Sequence, residues 1–411
     1  MTRRRTYTVL ALCLALVAGG VVAGVWWTHR WKGAVTVLGN WTGGDRDRFR
    51  TQVLDPFERE HRIRVIYQGS SAESQVLAAD VEAGTPPDVV IMPGPGELAA
   101  YAAADRLKPL DGLFDPDDYA DMWAPRVAGG VHWVPVKADL KSMVWHPGAL
   151  AEDDVARIAR NPREWCLAME SGATSGWPGT DWVEDVLLQQ AGWEVYQKWA
   201  TGDLSWTDPR VREAWTTWGD LVGAGDVRRV GPALRAGFQD PWGGPEAACD
   251  DERLEHQATF VRDGEHWTAA RGQYVHSRTV VPGARAGAPA WEVSADLAAM
   301  LRDTPEARAL IRHLADPATA QLGFTANRSV PGGAYDDDRT TTRIDATLRG
   351  RGTMRCWDAS DAMPPAMRDA FHRAVLRYLA EPRQLGEQLA VLDRVRNRQT
   401  IPWLPPVCGS G

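Results

Sequence analysis

The chain has 411 residues, 54 acidic against 46 basic side chains, and a composition that is 44% hydrophobic and 24% charged. That length exceeds what one core supports and suits two domains of ordinary size, with a globular rather than a disordered composition. A formal charge of -8 and a pI near 5.7 argue against a nucleic-acid partner, which calls for a basic face. Twenty tryptophans stand against seven phenylalanines. Most such rings pack in cores, but a surplus also fits a protein that stacks on flat ligands.

Arg3, Arg4 and Arg5 precede a charge-free apolar run over 9–27, with His29, Arg30 and Lys32 beyond it. The arginines stay inside, so the rest of the chain leaves the cytoplasm. The run lies on the border between a signal peptide and a membrane anchor. Val21 and Ala23 could serve a cleavage site, whereas Trp26 and Trp27 resemble an interfacial pair and favour a retained anchor. Residues 1–32 are therefore read as the tether, with the remainder at the extracellular face of the membrane, or secreted if the segment is cut. Cys13 follows Leu12 rather than a small residue, which disfavours a lipid anchor. Outside the cell the other four cysteines are oxidised. Three pairings are possible, and chain order makes Cys166 with Cys249 and Cys356 with Cys408 the simplest.

Past the tether, a short strand over 35–38 ends in Asn40-Trp41-Thr42-Gly43-Gly44-Asp45. A helix follows, with Phe49, Val53, Leu54 and Phe57 on one face. A strand over 64–67 ends in Gly69-Ser70-Ser71, and a helix carrying Val76, Leu77 and Val81 leads to a third strand over 89–92 and another helix through Ala104. This alternation predicts a doubly wound parallel sheet, in which ligands gather at strand carboxyl ends. Trp41, Asp45, Ser70 and Ser71 lie there. Each serine is equally readable as a helix cap; Trp41 is not, because an indole cannot satisfy a helix amide.

The stretch over 133–145, WVPVKADLKSMVW, is long for one strand and reads as a crossing between two lobes. A strand over 166–169 then gives way to ESGATSGWPGTDWVED over 170–185. Glycines, hydroxyls, two tryptophans and Asp181 occur together there, the chemistry of a polyol site. The same residues also read as a helix start, with Asp181 and Glu184 as a capping pair and Gly192 closing the helix. Helices through Trp199 and over 209–222, a Gly- and Pro-rich stretch around Trp242, a strand over 273–281 and a linker over 282–289 follow. The stretch over 291–300 reads as a strand returning to the first lobe, with its alanines leaving a helix open, and precedes helices over 305–314 and 317–322. A second crossing over 327–333 leads to helices over 345–349, 366–379 and 383–395. Asp336 to Asp338 read as a solvated loop. Asp358 and Asp361 read as caps of the helix near Pro364. The chain contains no HExxH, P-loop or GxSxG pattern and no zinc-ligand spacing, so no enzyme, cofactor or metal centre is expected.

LGNWTGGDRDRF, FEREHRIRVIYQGS, VEAGTPPDVVIMPGPGEL, MESGATSGWPGTDWVED and WDASDAMP, in that order, resemble extracellular solute-binding proteins of sugar-type ABC importers, nearest to the α-glucoside-binding branch. The resemblance implies two α/β lobes joined by crossing hinge strands, each lobe a sheet flanked by helices. The expected lobes are 33–139 plus 285–327 and 140–284 plus 328–411. It also implies a carbohydrate ligand trapped between them, a permease as partner and a monomer. The ligand contacts implied are Trp41, Asp45, Ser70 and Ser71 in the first lobe and Trp177, Thr180 and Asp181 in the second, with Trp242, Asp358 and Asp361 as further candidates. The chain departs from the family at Val144-Trp145-His146-Pro147, where tyrosine and asparagine are expected, and at Glu292, Val293 and Ser294, where glycines precede the returning strand. A sugar-sensing ectodomain without transport and, less favoured, a glycosidase with paired carboxylates are the rival readings.

Overall fold

A computed structural model of the chain describes residues 31–146, 150–238, 253–256, 262–263, 266–267, 273–319, 322–331, 335, 339–399, 403–404 and 406–410. Residues 1–30 of the expected tether, Trp242, Cys249 and the acidic run over 336–338 lie outside the described residues. Among the described residues no helix is long and apolar enough to cross a membrane.

The first elements follow the sequence pattern closely. Strand β1 (Gly33–Gly39) leads through α1 (Gly43–Phe49) and a π-helical stretch (Arg50–Leu54) into α2 (Asp55–His61). Phe49, Val53, Leu54 and Phe57 are buried along that face. Then come β2 (Ile63–Gly69), α3 (Glu73–Glu82), β3 (Val89–Met92) and α4 (Pro95–Ala103). β1 pairs in parallel with both β2 and β3, as β-α-β connections require.

The crossing over 133–145 is two strands, β4 (Trp133–Leu140) and β5 (Met143–His146). Between them Ser142 adopts φ 58°, a left-handed conformation that costs a non-glycine residue roughly 1–3 kcal/mol. Its hydroxyl offsets part of that cost by donating to Asp185 at 2.6 Å and accepting from the Glu292 amide at 3.0 Å.

The second lobe is built from α5 (Trp177–Ala191), α6 (Trp193–Ala200), α7 (Pro209–Val222), β6 (Glu255–His256) and β7 (Gln273–His276), with β5 hydrogen-bonded between β7 and β6. Residues 166–169 do not form the expected strand. Isolated bridges at Trp165–Leu254 and Glu170–Gly237 flank them, and no ladder continues between the two. The expected strand over 273–281 stops at His276, where Ser277–Thr279 coil into a 3-10 turn. Over 317–322 only the 3-10 turn Pro317–Thr319 is present among the described residues.

The returning strand β8 (Ala290–Met300) is continuous over eleven residues. Its first four residues pair in parallel with β9 (Met354–Trp357), and Leu297–Met300 pair antiparallel with β3. β4 lies antiparallel along Val293–Ala299, with an irregularity at Asp296/Leu297. α8 (Pro305–Ala315) follows β8, and α9 (Ala359–Ala362), α10 (Pro365–Ala380) and α11 (Leu385–Arg396) follow β9. β10 (Cys408–Ser410) closes the far edge, giving the sheet order β10-β9-β8-β3-β1-β2 with β4 against β8. The sequence pattern alone did not signal β9 or β10, both very short.

Cys356 and Cys408 form a disulfide across β9 and β10. Cys166 is also disulfide-bonded, and its expected partner lies outside the described residues. The Cys356–Cys408 bridge spans 52 positions, worth about 4 kcal/mol by the chain-entropy argument. Cys356→Ser is expected to lower stability by an amount of that order in denaturant titration, with no loss from reductant beyond that caused by the other bridge.

Candidate functional site

The strand ends of the first lobe gather much as expected, but they knit to one another before they face anything else. Trp41 is buried, and its indole donates to Asp296 at 3.1 Å while Asn40 donates to the other oxygen at 2.7 Å. Lys137 lies 3.9 Å from the same carboxylate and bonds Asp139 at 2.8 Å. The Tyr67 hydroxyl donates to the Trp41 carbonyl at 3.0 Å. Asp45, half-exposed, is ion-paired with Arg48. Ser70 accepts from the Ala72 amide at 3.1 Å, a local turn, and Ser71 is exposed.

In the second lobe the helix begins earlier than the capping pair predicted. Gly176, at φ 104°, is its N-cap, because Pro178 fits the first turn and a side chain at 176 would sit 2.4 Å from the His372 carbonyl. Asp181 and Glu184 are therefore one and two turns inside α5, fully buried. Trp177 is half-buried and packs edge-on against Phe238 at 4.3 Å. Thr180 is buried, and its hydroxyl donates back to the Trp177 carbonyl at 2.9 Å.

Asp181 points at Lys141, in the bend between β4 and β5. The ammonium donates to Asp181 and to Asp358, each at 2.5 Å, and lies 5.6 Å over the Trp177 ring. Burial alone would discharge this lysine, but the two carboxylates hold its pKa well above the ordinary value. The same ammonium helps hold Asp358 well below the carboxylate range against the effect of burial. Asp358 also caps α9, accepting from the Asp361 amide at 3.0 Å, so it caps this short helix and not the one near Pro364. Glu184 reaches the same helix start, accepting from the Ala359 and Ser360 amides and, at 3.3 Å, from the Tyr196 hydroxyl. Asp361 is half-buried, and burial beside Asp358 pushes its pKa up.

Glu292 completes the cluster. It is fully buried, neither oxygen has a hydrogen-bond partner, and an oxygen of each of Asp181, Glu292 and Asp358 lies within 4.8 Å of the others. Burial and then the Glu184 charge drive its pKa well above the ordinary value. The departure from the family's glycines thus places a carboxyl at the junction of the two lobes.

The lobes touch. A side chain on Gly172 would start 3.3 Å from the Ser71 hydroxyl, and one on Gly96 would lie 2.2 Å from the Ala362 carbonyl, so α4 and α9 meet backbone to backbone. Beside them Arg368 of α10 pairs with Glu97 of α4 at 3.0 Å and reaches Ser74 of α3 at 3.3 Å, while the Ser74 hydroxyl donates to Glu97 at 2.8 Å. Glu73, at the start of α3, is buried nearby, which pushes its pKa up to about 7. The sequence reading singled out none of Glu73, Glu97, Arg368, Lys141 and Asp296 as site residues. Two α/β lobes meeting around strand-end loops, with charged side chains bridging the seam, are the architecture of a two-lobe binding protein.

Known proteins bear this out. The family described as bacterial extracellular solute-binding protein matches residues 42–233. The osmoprotective compounds-binding protein GgtB of Synechocystis sp. is 30% identical over 370 residues, covering 81% of this chain and 85% of that protein. The α-glucosides-binding periplasmic protein AglE of Rhizobium meliloti is 28% identical over 383 residues, covering 82% and 81%. Among solved structures, a chitin oligosaccharide binding protein superposes with a TM-score of 0.68 at 16% identity over 89% of this chain and 98% of its own. The maltose-maltodextrin binding protein of Alicyclobacillus acidocaldarius superposes with a TM-score of 0.61 at 13% identity over 89% and 100%. The chain belongs to the bacterial extracellular solute-binding proteins, the receptor subunits of sugar-type ABC importers. Its relatives are binding proteins and not enzymes.

Glu292→Gln keeps the shape and removes the titrating carboxyl. Because the folded pKa of Glu292 is raised, the wild type should lose stability relative to Glu292→Gln as pH rises above the ordinary carboxylate range, read by denaturant titration across pH. Glu73 supplies a second test. Its folded pKa of about 7 lies above the ordinary value of 4.5, so its contribution is fully present below pH 4.5 and is lost as pH rises through 7. The wild-type-minus-Glu73→Gln stability difference should fall across that window, and a flat difference curve would contradict the assignment.

Proposed function

We propose that the chain captures a sugar or oligosaccharide of α-glucoside type in the cleft between its lobes and delivers it to an ABC permease. The lobes are taken as 33–139 plus 285–327 and 140–284 plus 328–411, with 1–32 tethering a monomeric receptor to the membrane. The observation that carries this reading is the approach of the Ser71 turn to the Gly172 loop. It brings the strand-end residues of the first lobe against the turn that holds Trp177. An aromatic face beside hydroxyls and carboxylates suits the C–H and O–H faces of a sugar. AglE, whose name records α-glucosides, supports the ligand class.

On this reading Trp177, with Ser71 opposite, is the stacking platform. Asp181 and Asp358 hold the second lobe's polar side together through Lys141 and α9, and the half-buried Asp361 is the acceptor for ligand hydroxyls. Trp41 and Asp45 shape the first lobe's wall, Trp41 through its bond to Asp296. Closure is favoured by as much as the ligand prefers the closed arrangement.

A thermal-shift screen of the full-length chain over maltose, trehalose, sucrose and longer α-glucosides should find a ligand that stabilises it by about 2.7 kcal/mol at 100 times its dissociation constant. Trp177→Ala should weaken that ligand at least tenfold in calorimetry, about 1.4 kcal/mol, while the Cys356–Cys408 half of the fold stays intact. If no glycan moves the transition, the carbohydrate reading fails.

A further inference from the structure

In the first lobe Glu60 and His61 end α2, and His313 stands in the last turn of α8. One potential ligand atom from each of the three lies within 4.8 Å of the other two. We propose that Glu60, His61 and His313 form a site for a divalent transition-metal ion of the Zn2+ type that clasps α2 to α8.

The donor set suits such an ion. Two imidazoles and a carboxylate bind Zn2+ at about 2.0–2.2 Å, with water completing a tetrahedron. Ligand atoms in that tetrahedron stand roughly 3.4 Å apart, given the same bond lengths, so small side-chain rotations from the present spacing are enough. Glu60 is the most exposed of the three, and its carboxylate already lies 3.8 Å from His61 Nε2. It can make the adjustment.

The imidazoles are held in place. Both lean on Phe57, a fully buried ring, with centroids 4.7 Å away for His61 and 5.2 Å for His313. The two imidazole centroids are 6.2 Å apart. His313 Nε2 lies 3.2 Å from the Val53 carbonyl. A carbonyl only accepts, so in this bond Nε2 carries the proton, and a bond of this kind from one ring nitrogen orients a histidine that ligates through the other.

The backbone favours a cation as well. His61 and His313 occupy the last turns of two helices, and the carbonyl ends of both bring partial negative charge to the same place. α8 follows directly on β8, so an ion here would fix the strand that both lobes share to the π-interrupted helix beside β1.

The test is calorimetric titration of ZnCl2 into the full, untagged chain after treatment with chelator, paired with thermal melts in ZnCl2 or EDTA. The expected result is one ion per chain with micromolar affinity and a rise in melting temperature that EDTA reverses. His61→Asn should weaken binding at least tenfold and abolish the rise, and Glu60→Gln should weaken it less. Both positions are partly or fully exposed, so the variants should fold even if His313→Ala does not. Absence of binding overturns the site. So does binding that His61→Asn leaves unchanged, which would place the ion elsewhere. MgCl2, which prefers oxygen ligands, should give no such rise, and an equal effect from MgCl2 would equally overturn the assignment.

Discussion

Strand β8 is the constraint on which the rest of this structure depends. Its eleven residues give four hydrogen-bonding positions to β9 and four to β3, so a single extended segment is built into both lobes. β4, pairing along its middle, makes the second connection. A sheet shared in this way cannot slide, because a shift of one residue would turn every buried side chain of β8 to the opposite face. The lobes can only bend relative to each other. The irregularity at Asp296/Leu297 and the left-handed Ser142 lie where such bending can be absorbed. Ser142 also bonds α5 through Asp185 and β8 through the Glu292 amide, so the bend is tied to the helix that carries the second lobe's site.

The site couples charge to that geometry. Lys141 sits in the bend and holds one carboxylate from α5 and one from the end of β9. Removing the ammonium would leave those carboxylates buried without a counter-ion, which is far costlier than the pair itself is worth. Across the seam, Arg368 binds Glu97 and Ser74. Both cations therefore tie together elements distant in the chain, and Arg368 does so across the seam.

Much of the fold was legible in the sequence. The β-α-β-α-β opening and the return of β8 followed from strand and helix periodicity, and the Cys356–Cys408 pairing followed from chain order. Where the reading erred, a local rule lost to another. Asp181 and Glu184 have capping spacing, yet Gly176 and Pro178 start the helix first. Asp358 does cap, but a shorter helix than the one foreseen. The charge network was opaque for a different reason. Lys141 is 40 residues from Asp181 and 217 from Asp358, and no local pattern reports contacts at such separations. Glu292 did leave a trace, as a departure from the family's glycines, though its lack of a partner is visible only in three dimensions.

The tryptophan surplus has its main outlet at the back of the second lobe. Trp199, Trp206, Trp215 and Trp218 are fully buried around Phe371 and Tyr378, with ring centroids 4.8 to 6.2 Å apart. Among the described residues none of their four indole N–H groups has a hydrogen-bond acceptor. Excitation will pass readily among rings this close, and emission from so dry a cluster should lie to the blue. The cluster therefore adds a blue-lying component to the ultraviolet fluorescence of the whole chain. Trp218 packs against Gly179, two residues from Trp177 in the first turn of α5, so a rearrangement of that helix start will register in the same component.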